Sequence, residues 1–122
     1  MTLRQESDPE RQLHTLRRLA HQAGYHAGRL AELCGVSLRQ LERYFQTDYQ
    51  CPPARWLSRE RFRLACRLLE RAHPIKEVAY AVGFKNNAHF STAFRRENGM
   101  SPSEYLKRRA QAAADPKLAV GR

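Results

Sequence analysis

The chain has 122 residues, room for one domain or two very small ones, since segments below about 50 residues rarely bury a self-sufficient core. A large enzyme with its own lid and subdomain is excluded. Lys plus Arg number 22 against 12 Asp plus Glu, a formal charge of +10, and 42% of residues are hydrophobic, so a folded domain with a polyanionic partner fits the balance.

Taken in chain order, the residues read as helices joined by short turns. Asp8, Pro9 and Glu10 form a helix start, after which Leu13, Leu16, Leu19 and Ala20 repeat at helical spacing up to Gly24. A second helix covers about 27–34 and stops at Gly35; a third runs from a Ser37 cap to about Gln46, with Leu38, Leu41 and Phe45 as its buried face. The longest helix extends from Pro53 to Arg71, with Leu57, Leu64, Ala65 and Leu68 on one stripe and Arg59, Arg63 and Arg67 on another. Pro74–Val82 forms the next, broken by Gly83, and Asn86 or Asn87 caps a helix that reaches about Arg96. Ser101, Pro102 and Glu104 give a capping box for a last helix carrying Tyr105 and Leu106 before Lys107, Arg108 and Arg109. The boundaries expected are a first subdomain at about 9–52, a linker helix at 53–71, a second subdomain at 74–110 and a frayed tail at 111–122.

The two halves repeat. Leu30, Ala31, Gly35 and Val36 recur 48 residues later as Val78, Ala79, Gly83 and Phe84, while Leu41, Phe45, Pro53, Trp56 and Leu57 recur 49 later as Phe90, Phe94, Pro102, Tyr105 and Leu106. Helix, glycine turn, helix, then a proline-started helix, used twice, describes a duplicated helix-turn-helix. The outward residues of the first unit are Arg39, Gln40, Glu42 and Arg43. Arginine reads guanine bidentately, glutamine pairs with adenine, and glutamate accepts from cytosine. A solvated face laced by ion pairs is the competing reading. In the second unit the outward set is Asn87, Ala88, His89, Ser91 and Thr92, a neutral surface suited to more permissive readout.

From about Leu13 to Leu106 the sequence closely resembles the DNA-binding domain of the AraC/XylS family of bacterial transcription regulators. The most specific match is Ile75 through Tyr105 (IKEVAYAVGFKNNAHFSTAFRRENGMSPSEY), and the long helix matches through Trp56, Leu57, Arg61, Phe62, Ala65, Leu68 and Leu69. The resemblance implies an all-α fold of seven helices in two subdomains joined by the long fourth helix. It further implies that one monomer places the third and sixth helices (about 38–46 and 87–96) in successive major grooves of double-stranded DNA. The family's base-reading positions fall on Arg39, Glu42, Arg43, Asn87, Ala88, His89, Ser91 and Thr92. Thr92 stands where many relatives have Arg or Lys, which removes a contact, and Cys51-Pro52-Pro53 replaces a cleaner Gly-x-Ser-Pro start to the fourth helix. Many relatives carry a further regulatory domain, whereas only about 12 residues precede the first matched helix here.

Phosphate contact is expected from Lys85, Arg95, Arg96, Arg59, Arg63, Lys107 and Arg108, and Arg61 resembles an internal structural arginine. The rival classes are less well served. No Ser/His/Asp, Cys/His or paired-carboxylate arrangement supports an enzyme, and His26, His73 and His89 lack metal-ligand spacing, so neither metal nor cofactor is expected. Cys34, Cys51 and Cys66, odd in number and without CxxC, read as reduced thiols of a cytoplasmic protein. No apolar run approaches a membrane span of about 18 residues. A module that contacts RNA polymerase or another regulator is the alternative function, and it is compatible with DNA binding.

Overall fold

A computed structural model describes residues 8–114, which form seven helices: α1 (Pro9–Gln22), α2 (Ala27–Cys34), α3 (Leu38–Asp48), α4 (Pro53–Glu70), α5 (Ile75–Ala81), α6 (Asn87–Asn98) and α7 (Pro102–Ala114). The chain divides into two compact units at Arg63–Leu64, inside α4, which is therefore the central linker helix shared by both.

In the first unit, α1 packs on α2 and α2 on α3. Asp8 caps α1 by accepting from the Glu10 N–H at 3.0 Å, and Pro9 fills a position whose missing N–H costs nothing. Leu16, Ala20, Leu30, Ala31, Cys34, Leu41, Phe45, Trp56 and Leu57 make the core. Phe45 meets Trp56 edge-on at 5.4 Å between ring centroids and Tyr49 at 5.1 Å. On the outer side of this core, Glu60 accepts from Arg17 of α1 at 2.7 Å and from Arg63 at 3.3 Å. In the second unit α6 packs against both α5 and α7. Val78, Ala79, Val82, Phe90 and Phe94 are buried, and Phe84, Phe90, Phe94 and Tyr105 form a chain of aromatic contacts at 5.5–5.7 Å. Tyr105 donates to Glu70, toward which Arg109 also reaches at 3.6 Å.

The repeat holds at the level of single hydrogen bonds. In the first turn Gly35 (φ 73°) donates to Glu32 O at 3.0 Å and Val36 to Ala31 O at 3.0 Å; in the second Gly83 (φ 91°) donates to Tyr80 O at 3.0 Å and Phe84 to Ala79 O at 2.9 Å. Both glycines occupy the left-handed region that a side chain disfavours, which is why glycine recurs there.

Several expectations are corrected. Leu38 is 43% exposed rather than buried, and Tyr44 takes its place in the core with Leu41 and Phe45. A helical side chain leans toward its own N-terminus, so the first residue of α3 projects beyond the surface that α2 covers. Tyr44 buries its ring because its hydroxyl finds Gln12 of α1. In α4 the buried residues are Pro53, Trp56, Leu57, Phe62, Ala65 and Leu69, while Leu64 and Leu68 are only half-buried. One straight stripe was the wrong pattern for a helix whose two ends serve two cores. Pro74 precedes α5 as its N-cap rather than lying in its first turn. Helix α3 runs two residues past Gln46, and α6 runs on to Asn98, where the Asn98 side chain donates to Phe94 O before Gly99 turns left-handed. Helix α7 continues beyond residue 110 to Ala114, because Gln111 to Ala114 are good helix formers without a breaker. The rest of the expected 111–122 tail, from Asp115 onward, lies outside the described residues.

Candidate nucleic-acid interface

The outer face of α3 is built by its cap and its core. Ser37 Oγ accepts from the Gln40 N–H at 3.1 Å, and Gln40 Oε1 accepts from the Ser37 N–H at 2.9 Å, a reciprocal capping box that fixes where the helix begins. Burial of Leu41, Tyr44 and Phe45 fixes its rotation. Arg39, Glu42 and Arg43 are left exposed, and among the described residues none of the three is in an ion pair. They form a compact group at i, i+3 and i+4, with Arg39 flanked by Glu42 and Arg43 on the next turn. Gln40 is exposed as well, yet its carbonyl oxygen is committed to the cap. Bidentate pairing with adenine uses both amide atoms and would have to break that bond.

In α6 it is Asn86, not Asn87, that caps: its Oδ1 accepts from the Ala88 N–H at 2.7 Å and the His89 N–H at 3.2 Å. The side chain of Asn87 is thereby left outside the cap. Asn87, Ala88, His89 and Thr92 are exposed, whereas Ser91 is half-buried, sharing its side of the helix with Phe94 at i+3. The result is a hydrogen-bonding face without Lys, Arg, Asp or Glu, the Ala88 methyl group included, beside buried Phe90 and Phe94.

The surrounding cations fall into two groups. Lys85, Arg96, Arg59, Lys107 and Arg108 are exposed and in no ion pair among the described residues. Arg63 is paired with Glu60, and Arg95 donates to Glu104 at 2.8 Å. Glu104 also accepts from the Ser101 N–H at 3.0 Å, and these bonds to Ser101, with Arg95 and Arg108 nearby, hold its carboxyl below the ordinary glutamate range. Exposed pairs of this kind hold weakly, so Arg95 remains able to turn toward a phosphate. Arg61 is half-buried beside Tyr25, and burial lowers its pKa, as expected of an internal arginine. Cys34 and Cys51 are buried, and burial raises the Cys34 thiol, which keeps it unreactive. Among the described residues no group of three or more His, Cys, Asp or Glu could hold a metal ion, and no helix is long and apolar enough to cross a membrane.

The model of a helix-turn-helix domain family matches residues 30–108. The chain belongs to this helix-turn-helix family. Within it the domain is AraC/XylS-like. It is 41% identical over 76 residues to the HTH-type transcriptional activator RhaS of Salmonella arizonae, a match covering 62% of this chain and 27% of that protein's length. The chain therefore corresponds to about a quarter of such relatives. Among solved structures, it superposes with a TM-score of 0.68 on the DNA-binding domain of AdpA, a global transcriptional factor, at 31% identity and covering 90% of this chain and 98% of that one. A regulator from Chromobacterium violaceum with an AraC-type DNA-binding domain matches at TM-score 0.68 and 28% identity, covering 84% and 95%.

Three features of this helix-turn-helix domain escaped the sequence reading. The Ser37-x-x-Gln40 capping box has the same spacing as Ser101-x-x-Glu104, so the pattern was there to be found. The tie from Arg17 to Glu60 joins residues 43 apart and leaves no local signal. Tyr80, 80% exposed on α5, lies on a helix whose apolar pattern points inward at Val78 and Ala79.

Proposed function

We propose that this domain is a sequence-specific reader of double-stranded DNA in transcription regulation, acting as a monomer with α3 and α6 each entering a major groove, in successive turns of the duplex. The observation that carries this reading is the twice-used turn, each copy followed by a capped helix with an uncommitted hydrogen-bonding face: Arg39, Glu42 and Arg43 on α3, and Asn87, His89 and Thr92 on α6. Likeness to the AdpA domain, whose structure is of a complex with a target DNA, supports it. Two layers of contact follow from the chemistry. Arg39 and Arg43 present forks for guanine, with Glu42 accepting from cytosine or orienting a neighbouring arginine, while α6 reads more permissively through Asn87, His89, Thr92, half-buried Ser91 and the Ala88 methyl group. Lys85, Arg96, Arg59, Lys107 and Arg108, joined by Arg63 and Arg95 once they leave their carboxylates, contact phosphate. Selection of bound duplexes from a random pool tests the proposal. Recovery of a motif with two separated segments is expected, and recovery of nothing above nonspecific background would refute it.

A protein contact, with RNA polymerase or another regulator, is favoured by Tyr80, an exposed ring on α5 rather than on either reading helix. Tyr80→Ala is expected to leave DNA affinity unchanged and to reduce crosslinking to polymerase; loss of DNA affinity instead would place Tyr80 at the duplex.

A further inference from the structure

The first residue of α3 is an anomaly for a side chain of its type. Leu38 is one of two large hydrophobic residues exposed in the described chain, 43% accessible, although the capping box on either side of it fixes the start of the helix. Its apolar surface is not needed by the core, which Leu41, Tyr44 and Phe45 complete. It stands at i−4 from Glu42 and directly precedes Arg39, so it borders the exposed polar group on its N-terminal side. When a recognition helix lies in the major groove, its N-terminal residues approach the base edges. The groove offers one apolar feature there, the C5-methyl group of thymine. A branched aliphatic side chain has no hydrogen-bonding use in that position and removes both its own surface and the methyl group from water.

We infer that Leu38 is a specificity-determining residue that selects thymine at one position by packing on its methyl group, an inference that rests on α3 entering the major groove. Thymine is thereby told from uracil and from cytosine by an apolar contact, beside the guanine and cytosine contacts of Arg39, Arg43 and Glu42.

The test uses the motif that the wild-type chain selects from random duplexes, with each thymine replaced singly by deoxyuridine, which deletes the methyl group and keeps every hydrogen-bonding atom. One replacement is expected to weaken wild-type binding about fourfold, the worth of one buried carbon. Leu38→Ala is expected to bind the thymine duplex about as weakly as wild type binds the uracil one and to lose the difference between them. Leu38→Met, which keeps apolar reach, retains it. Circular dichroism checks that both variants are folded. A motif in which no thymine responds to demethylation overturns the inference, as does a Leu38→Ala variant that still discriminates or that loses affinity equally for all sequences. Failure to select any motif instead refutes DNA reading itself, a distinct result.

Discussion

Replacing Gln40 separates two uses of one amide. In the structure its Oε1 closes the α3 capping box on the Ser37 N–H at 2.9 Å, so Gln40→Ala deletes one exposed hydrogen bond, a net loss of about 1 kcal/mol. Alanine is the better helix former by a few tenths of a kcal/mol, which leaves about 0.6 kcal/mol of destabilisation. That corresponds to a lowering of the melting temperature by roughly 2–3 °C for a domain of this size. If the helix start matters to DNA only through its order, affinity falls at most about threefold, and by the same factor on every sequence. Gln40→Glu sharpens the comparison, since a carboxylate keeps the acceptor and favours a helix N-terminus but cannot donate to adenine N7. Its stability should equal or slightly exceed wild type. Urea unfolding gives the stability of both variants, and binding to a panel of single-base variants of the selected site gives their preference. A change of tenfold or more at one adenine in either variant, with the urea midpoint unmoved, would refute the assignment of Gln40 to the cap.

Arg43→Ala should alter preference at one fixed base position by about 1–3 kcal/mol, whereas Arg96→Ala should weaken all sequences alike and lower the slope of log affinity against log salt by about 0.9; titrations at several salt concentrations distinguish them. Gly35→Ala meets no atom within 4 Å of the new Cβ, so its cost is torsional. A left-handed penalty of about 1–2 kcal/mol, less the 0.4–1 kcal/mol or so that alanine saves in the unfolded chain, predicts a net loss of about 0.5–1 kcal/mol by urea unfolding. Glu104 has its folded pKa depressed, chiefly by its bonds to Ser101. Its stabilising contribution is complete above the unfolded glutamate value, near 4.3, and is lost as pH falls through the lower folded value. Protection factors of the amides at the start of α7, taken after correction for the intrinsic pH dependence of exchange, should therefore fall in acid in the wild type, with a smaller pH response in Glu104→Gln.

Helix positions were legible because their signals are local: Asp8-Pro9, Ser101-x-x-Glu104, and glycines 48 residues apart in equivalent turns. The repeat also singled out the residues that the structure presents on α3 and α6. What could not be read were properties set by neighbours distant in sequence. Periodicity gave Leu38 the same standing as Leu41, because whether α2 covers the first turn of α3 is a matter of packing. Tyr44 is missing from the buried face that periodicity predicts, because the partner of its hydroxyl, Gln12, comes from another helix. The pairing of Arg63 and Arg95 with carboxylates separates them from Arg59 and Arg96, which composition alone could not do.

The division of labour along α3 bears on how such a domain changes its target over generations. Cap, glycine turn and aromatic core fix the helix through Ser37, Gln40, Leu41, Tyr44 and Phe45, and none of that machinery passes through Arg39, Glu42 or Arg43. Substitutions at exposed positions without such partners usually shift stability by no more than about 0.5 kcal/mol. On the proposed reading, mutation can therefore rewrite the sequence preference at these three sites while the fold stays above its threshold, and duplication of the reading unit allows one copy to drift while the other keeps the protein on DNA.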